Sequence, residues 1–289
     1  MTALKREEIL TINQKGWNAV APMFYGGTAL PKYGPLEATE DELNLIPDLS
    51  GGRVLELGCG SGHTLAYLWE NKNARELWGL DFSEEQICFA KEFLAEKNIP
   101  VKLFLASMDE NPGIPENYFD LIVSVYSLGW SPDLSRTLAL VYSYLKPSGV
   151  FIFSWEHPVY QCLNYNADIG KYVFERSYGK EGPELHPSWK GVEIVINSRR
   201  LSTYLNTLVQ SGLVLERLIE SEPNVALARE QDFAPDKWYS VPRAQLIPTT
   251  MIVKAFKSAP TPRPSNEPKA RSEGAFTRLV EGLESLNEH

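Results

Sequence analysis

The chain has 289 residues, of which 43% are hydrophobic and 22% charged, a composition typical of a globular protein with a packed core. Its net charge of -9 and pI near 5.1 argue against a nucleic-acid partner, because binding a polyanion needs a concentrated basic surface. The sequence contains neither a signal-peptide pattern nor the roughly 18 consecutive apolar residues of a membrane span, so we expect a soluble, cytoplasmic protein without membrane contact.

The first 50 residues are predicted to form a helical lid or flank. Ile9, Trp17 and Val20 recur near helical spacing, which predicts an amphipathic helix over residues 5–20. An aromatic segment that includes Tyr25 follows this helix. We interpret residues 1–50 as a flank of the domain that begins behind them.

From residue 51 onward, predicted strands alternate with predicted helices. The strands are 53–57, 76–81, 101–105, 119–125 and 150–155. Helix-start signals lie between them, for example Ser83 three residues before Gln86. Alternation at this spacing predicts an α/β fold: a Rossmann-like, doubly wound, mostly parallel sheet with helices on both faces.

After His157 the alternation stops. Residues 157–197 are rich in Tyr, Trp, Gly and Pro without a clear period, and we interpret them as an inserted cap after the fifth strand. A further helix and two strands follow, over residues 198–211, 213–219 and 249–256. They would complete a seven-stranded sheet and make residues 51–257 one domain. Residues 258–289 are predicted to be a flexible tail that could include a short terminal helix.

The segment from Val54 to His63 places a Gly-x-Gly-x-Gly loop directly after the first strand. Gly58 and Gly60 lack a Cβ, so a ligand can lie on the main chain and face the first amides of the next helix. In a dinucleotide oxidoreductase the third glycine would fall at position 63, which is His63. Glu56 would repel a pyrophosphate but attract a cation. The loop therefore favours a cationic ligand over a nicotinamide dinucleotide.

This loop resembles the Glu/Asp-x-Gly-x-Gly-x-Gly motif of class I S-adenosylmethionine (SAM)-dependent methyltransferases, specifically their UbiE/UbiG-like small-molecule branch. The resemblance runs from Gly51 to Trp155 and includes Leu-Lys-Pro-Ser-Gly at 145–149, where the family usually has glycine in place of Ser148. It implies that Glu56 and the glycine loop contact the methionine part of SAM. It also implies that Asp81, at the end of the second strand, binds the ribose hydroxyls.

The resemblance implies these cofactor-binding residues: Glu56, Gly58, Cys59, Gly60, Gly62, Asp81, Phe82, Ser107, Met108, Asp109 and Ser124. Plainer interpretations stay open for several of them. Asp81 could support the start of the next helix, Met108 could be core, Asp109 could be a solvated loop acid, and Cys59 could be inert. The loop itself could be a structural turn without a ligand.

His157 is the candidate catalytic base, because it leaves the carboxyl end of the fifth strand, the edge where open α/β sheets bind ligands. It could instead only anchor the cap, with Glu156 as its partner or as a surface charge. The candidate substrate-binding residues are Tyr25, Trp130, Tyr160 and His186. The aromatic content of both variable segments predicts a partly apolar acceptor.

Together these features predict an enzyme that transfers a methyl group from SAM to an oxygen or nitrogen atom of a small organic acceptor. We expect the enzyme to be a monomer or a homodimer. We expect no metal, because Cys59, Cys88 and Cys162 lack zinc-ligand spacing. The rival functions are a nicotinamide-dependent oxidoreductase, a SAM-binding protein without catalysis, and a methyltransferase acting on nucleic acid or protein.

Overall fold

The structure is a computed structural model that describes residues 4–259. Its strands are β1 (Arg53–Leu57), β2 (Glu76–Asp81), β3 (Val101–Leu105), β4 (Phe119–Val125), β5 (Leu145–Glu156), β6 (Leu163–Asn166), β7 (Lys171–Phe174), β8 (Gly182–Trp189), β9 (Val192–Ser198), β10 (Leu213–Ile219) and β11 (Thr250–Lys257). Its helices are α1 (Arg6–Val20), α2 (Glu40–Leu43), α3 (His63–Lys72), α4 (Glu84–Glu96), α5 (Leu134–Tyr144), α6 (Leu201–Gln210) and α7 (Val241–Ala244).

Seven strands form the central sheet, in the order β10-β11-β5-β4-β1-β2-β3. Only β11 is antiparallel to its neighbours β10 and β5, while the pairs among β1 to β5 are parallel. The prediction of a mostly parallel, seven-stranded Rossmann-like sheet is confirmed. Strand order reverses between β1 and β4, which creates a crevice at their carboxyl ends, the usual ligand site of such sheets.

Successive residues of the central strands enter two different hydrophobic cores, because side chains alternate between the faces of a sheet. Leu55 belongs to the core that also contains buried residues of α5 and α6. Val54 belongs to the core that contains buried residues of α3 and α4. Helices therefore cover both faces, and this explains why the strands read as nearly continuous apolar runs.

The segment between β5 and α6 forms two antiparallel strand pairs, β6 with β7 and β8 with β9. The sequence showed no apolar period here, and β8 explains why. Its less exposed positions include Glu184 and His186, whereas the intervening Leu185 is exposed. Because the less exposed side of β8 carries polar residues, the usual alternation of apolar residues in a half-buried strand is missing from β8.

Helix α1 packs against β9. The Asn13 side-chain amide donates to the Val195 carbonyl at 2.9 Å, and its oxygen accepts from the Val195 N–H at 2.7 Å. Gly16 permits this approach, since a Cβ there would lie 2.6 Å from the Glu193 carbonyl oxygen. The N-terminal segment and the β8–β9 hairpin are thus joined by polar contacts and by close packing.

A second long segment, residues 220–249, connects β10 to β11. The buried Arg243 guanidinium lies 4.0 Å from the Tyr160 ring centre and 4.2 Å from that of Trp238. It also donates to the carbonyl oxygens of Tyr160 and Leu163. Arg243 therefore fastens this segment to the chain that follows β5.

Within residues 4–259, no helix is both long and apolar enough to span a bilayer. The predicted tail begins at residue 258, and from residue 260 onward it lies outside the described residues.

Candidate active site

A cavity of about 740 Å³ opens at the carboxyl ends of β1, β2, β4 and β5. Its walls come from the loop after β1, the N-terminal segment, the β8–β9 hairpin and the 220–249 segment. Pockets that enclose one drug-sized ligand are about 300–1,000 Å³, so the volume is at the upper part of that range. The cavity has room for a cofactor together with a small second molecule.

The glycine loop forms one end of the cavity with left-handed backbone at Gly58 (φ +68°) and Gly60 (φ +50°). A Cβ at Gly58 would lie 2.3 Å from the Ser127 Cβ, so glycine is required there by packing. At Gly60 the nearest described atom to an added Cβ is Gln86 Oε1, at 3.7 Å. The left-handed backbone therefore favours glycine at position 60, and the described residues leave room for a ligand to lie against its main chain.

The Glu56 carboxylate is buried at the same end, and its Oε2 atom has no hydrogen-bond partner among residues 4–259. Burial raises the pKa of this carboxyl well above its ordinary value, the Asp81 charge raises it further, and a hydrogen bond from Thr64 opposes the shift. A buried polar oxygen without a partner is unfavourable by about 1–3 kcal/mol. The arrangement fits a ligand that supplies a cationic N–H donor.

Asp81 lies beside this carboxylate at the end of β2, also lining the cavity. Its two oxygens accept from the Gly60 and Ser83 backbone N–H groups, each at 2.9 Å. Burial raises the pKa of the Asp81 carboxyl, and these backbone bonds oppose the shift. The cap of α4 is Ser83, whose hydroxyl accepts from Gln86 N, so Asp81 is not needed as the cap itself.

A second part of the cavity lining is aromatic. We define the aromatic wall as Trp17, Phe24, Tyr126, Trp130, Trp155, Trp189, Trp238 and Tyr239. Trp130 lies at its centre, with ring-centre distances of 5.2 Å to Trp17, 5.6 Å to Trp155 and 5.8 Å to Trp189. Phe24 stacks on Trp189 at 5.6 Å with an interplanar angle of 8°. Such a surface favours flat or apolar parts of a ligand.

Glu156 is the carboxylate at the aromatic end. Its Oε2 accepts from Trp238 Nε1 and from the Tyr239 hydroxyl, both at 2.7 Å. Burial raises the pKa of the Glu156 carboxyl, while the hydrogen bonds from Tyr239 and Trp238 oppose the shift. Glu156 thus holds the 220–249 segment against the cavity.

Comparison with known proteins agrees with this geometry. A family model described as "Methyltransferase domain" matches residues 54–149. A SAM-dependent methyltransferase from Mesorhizobium loti, known as a crystal structure, is 28% identical with a TM-score of 0.62, covering 77% of this chain and 100% of that chain. This chain carries a class I SAM-dependent methyltransferase domain.

Two sequence relatives extend the comparison of this methyltransferase. Malonyl-[acyl-carrier protein] O-methyltransferase from Pectobacterium atrosepticum is 31% identical over 125 residues, 43% of this chain and 47% of that protein. The chain therefore spans about half the length of that relative. An uncharacterised Haemophilus influenzae protein is 25% identical over 188 residues, 62% of this chain and 73% of its own length.

Among the residues predicted to bind the cofactor, seven line the methyltransferase cavity: Glu56, Gly58, Cys59, Gly60, Asp81, Phe82 and Met108. Gly62 lies just behind the cavity, where it begins α3 and packs against Leu94. Ser124 is also behind it, bonded to the Ser127 hydroxyl at 2.7 Å, and Ser127 lines the cavity in its place. The loop after β4 carries the residue that reaches the site.

Ser107 and Asp109 are likewise outside the cavity lining. The Asp109 carboxylate is fully buried and accepts from Arg6 Nε at 2.7 Å and Arg6 Nη2 at 2.9 Å. Burial would raise the pKa of this carboxyl, but bonds from Arg6 and Ser107 lower it below its ordinary value. The alternative of a solvated loop acid is wrong, and Asp109 instead anchors α1.

His157 does not line the cavity in the described part of the chain. Its Nε2 lies 2.7 Å from Glu220 Oε1, and its Nδ1 accepts from the Val159 N–H at 3.2 Å. The ring proton is therefore on Nε2, directed to Glu220. Burial lowers the pKa of the ring, and Glu220 opposes the shift. Both nitrogens are engaged away from the cavity, which leaves His157 without access to an acceptor.

Of the predicted acceptor-side residues, Trp130 and His186 line the cavity, and Tyr25 and Tyr160 do not. Tyr25 is 46% exposed and packs edge-on against His63. Tyr160 is buried behind Tyr239, and its hydroxyl donates to the Trp238 carbonyl. Aromatic character alone did not distinguish cavity residues from those that support them.

The residues that sequence reasoning missed include two aromatic residues on the 220–249 segment. Trp238 and Tyr239 are adjacent aromatic residues in a stretch without apolar periodicity, a pattern that could have indicated a cavity wall. The sequence suggested Glu156 as a partner of His157 or as a surface charge. In the structure it is the residue of that pair that reaches the cavity.

Proposed function

We propose that this enzyme transfers the methyl group of SAM to a small organic acceptor that has a flat, partly apolar body, at an oxygen or nitrogen atom. The observation that carries the proposal is the presence of two unlike sets of groups in one cavity. Glu56, Asp81 and the main chain of the glycine loop form a polar part with buried carboxylates, and the aromatic wall forms an apolar part. A charged, polar cofactor and an apolar acceptor have opposite requirements, which these two parts meet separately.

At the polar end, Glu56 would bind the amino group of the methionine part, which supplies the donor that Glu56 Oε2 lacks. Asp81 would accept from the ribose hydroxyls with its remaining lone pairs. The main chain at Gly58 and Gly60 would lie against the cofactor, and Met108 would pack against the adenine. Bound there, SAM supplies a methyl group made electrophilic by its positively charged sulfur.

The contribution of the protein to the transfer is mainly alignment. The aromatic wall would fix the acceptor plane, and Glu156 would keep Trp238 and Tyr239 in position through its two hydrogen bonds. The N-terminal segment and the β8–β9 hairpin line the cavity and would reduce the access of water to the reacting atoms. Holding two reactants in line can lower a barrier by about 7–11 kcal/mol.

The walls that these segments add around the cavity support a small acceptor, because a polymer would need an open groove. A small acceptor in turn fits the UbiE/UbiG-like small-molecule branch. The carrier-protein relative is named as an O-methyltransferase, which supports oxygen as one candidate atom. A nicotinamide dinucleotide is disfavoured because Glu56 would lie beside its pyrophosphate.

Calorimetric titration with SAM tests the proposal on three proteins: wild type, Gly60→Val and Gly51→Val. Both variants place a branched side chain at a left-handed position, with φ +50° and +81°. No described atom lies within 4 Å of an added Cβ at Gly51, which is outside the cavity lining. Wild type and Gly51→Val should bind SAM, and Gly60→Val should not. Binding of NAD by the wild type, or unchanged SAM affinity in Gly60→Val, would contradict the proposal.

A further inference from the structure

Two ring nitrogens of cavity-lining residues have no hydrogen-bond partner in the described part of the chain. They are Trp17 Nε1 on α1 and His186 Nε2 on β8, and both atoms are buried. Buried polar atoms are paired in the great majority of cases, so two unpaired atoms from residues of one cavity need an explanation. A ligand group that pairs with both would remove both deficits.

The packing of α1 on the hairpin places both residues in the lining of one cavity. Asn13 is fixed to Val195, and Trp17 follows one helical turn later, with its ring centre 5.6 Å from that of Trp189. His186 lies on the same strand as Trp189, three residues earlier, and is paired with Ile194 across the hairpin. Helix α1 and the polar side of β8 therefore both contribute to the wall of the cavity.

The two nitrogens have complementary hydrogen-bonding chemistry. An indole N–H can only donate. Burial lowers the pKa of the His186 ring, as does the nearby Arg176, while Glu184 opposes the shift, so the ring is neutral near pH 7. A neutral imidazole with its proton on Nδ1 offers a lone pair at Nε2. The pair thus presents one donor and one acceptor.

A hydroxyl group matches this pair, because its oxygen accepts one hydrogen bond and its proton is donated in another. An ammonium group has no lone pair to accept from the indole N–H. A thiol is a weak partner in both directions. Glu156 is less suited to the same role, since its Oε2 atom already accepts from Trp238 and Tyr239.

We propose that Trp17 and His186 bind the hydroxyl group of the acceptor, that its oxygen is the atom methylated, and that His186 is the general base. This inference rests on the function proposed above. In the transfer the oxygen–methyl bond forms while the sulfur–methyl bond breaks, and the electron pair of the broken bond stays on sulfur. The hydroxyl proton moves to His186 Nε2 and is then released to water.

The first test is binding of three compounds of similar shape, 2-naphthol, 2-naphthylamine and 2-methylnaphthalene, in the presence of S-adenosylhomocysteine. Quenching of the cavity tryptophans reports the affinity. Two hydrogen bonds should make 2-naphthol bind roughly 5- to 150-fold more tightly than 2-methylnaphthalene, and Trp17→Phe should reduce that ratio while keeping the aromatic surface. Equal affinity for the three compounds, absence of binding included, overturns the inference, as does tighter binding of 2-naphthylamine.

The second test is methyl transfer to 2-naphthol by the wild type, His186→Gln and Glu193→Gln, with product analysis by mass spectrometry. Glutamine keeps a polar side chain at 186 but is not a base, and Glu193 is exposed on the same hairpin. His186→Gln should lower kcat about 10²- to 10⁴-fold, and Glu193→Gln should match the wild type. Unchanged kcat in His186→Gln, methylation at carbon, or bound but unmethylated 2-naphthol overturns the inference.

SAM titration of the same preparations distinguishes a failure of the proposed function from a failure of the roles of Trp17 and His186. Wild-type protein that fails to bind SAM would refute the proposed function, whereas normal SAM binding together with any of the contrary outcomes above would refute only the roles of Trp17 and His186. Normal SAM binding by His186→Gln also shows that the variant is folded.

Discussion

Replacing Glu56 by glutamine should change protein stability and cofactor affinity in opposite directions. Glutamine has nearly the same shape but no charge. Without a ligand, Glu56 is a buried carboxylate with one oxygen unpaired among the described residues and with Asp81 nearby. Glutamine leaves a polar amide at the same place, but removing the charge relieves the cost of burying it and its repulsion by Asp81 in the free protein. The same charge, however, is what a cationic cofactor group would use.

We take the penalty that the buried charge adds as about 1–3 kcal/mol. For a domain of this size, 1 kcal/mol changes Tm by about 2–4 °C, so free Glu56→Gln should melt about 2–12 °C above the wild type. Loss of one hydrogen bond to a charged group, about 1.5–3 kcal/mol, should weaken SAM binding about 10- to 150-fold.

The stability difference should depend on pH. Because the pKa of the Glu56 carboxyl is raised in the folded protein, the wild type holds this proton more strongly when folded than when unfolded. Wild-type stability from this group is therefore fully present below about pH 4.5 and is lost as the pH rises toward the folded pKa. The advantage of Glu56→Gln should accordingly grow from pH 4.5 to pH 7.

Glu40→Gln is the matched control. Glu40 is also buried, but its oxygens accept from the Tyr33 hydroxyl, two backbone N–H groups and Lys72 Nζ. The same substitution should therefore destabilise the protein there. The assay is thermal unfolding of the free proteins together with calorimetric SAM titration. Glu56→Gln that melts below the wild type, or that binds SAM equally well, would refute the reasoning.

Three further substitutions test the surroundings of the site. Arg6→Ala should cost about 1–2 kcal/mol in chemical denaturation, because the Asp109 carboxylate is fully buried, although Arg6 itself is 35% exposed. The difference in stability between the wild type and Arg6→Ala should be fully present above pH 3.8 and decrease below it. Burial raises the pKa of the Asp109 carboxyl, but Arg6 brings it below the ordinary value, so the wild type loses this stabilisation only as the folded carboxylate becomes protonated. His157→Gln should lower Tm while kcat stays within threefold, and a hundredfold loss of kcat would restore His157 as the base. Gly129→Ala should weaken 2-naphthol binding more than SAM binding, since its Cβ would lie 1.9 Å from the Trp155 ring, and equal effects on both ligands would contradict this.

The central sheet could be predicted because local signals and tertiary packing agree there. The strand at 53–57 and the helix that Ser83 caps have the same bounds, within a residue or two, in sequence and structure. The cofactor end of the cavity follows from these elements, since Glu56, Gly60 and Asp81 are fixed by strand ends. Their positions along the chain determine their positions in space.

The acceptor end could not be predicted in the same way. His157 and Glu156 are neighbours at the end of β5, and only one of them lines the cavity. The sequence does not say which one. Likewise Asp109 is occupied by Arg6, 103 residues earlier, a pairing that no local pattern reveals.

The aromatic wall takes its residues from loops and insertions, and the central strands contribute little beyond Trp155. Exchanging the β8–β9 hairpin and the 220–249 segment between homologues should therefore transfer the acceptor preference together with these two segments. Helix α1 would need to travel with the hairpin, because the paired hydrogen bonds of Asn13 to Val195 make the two a single mechanical unit. Chimeras that split this pair should lose their specificity even when every wall residue is retained.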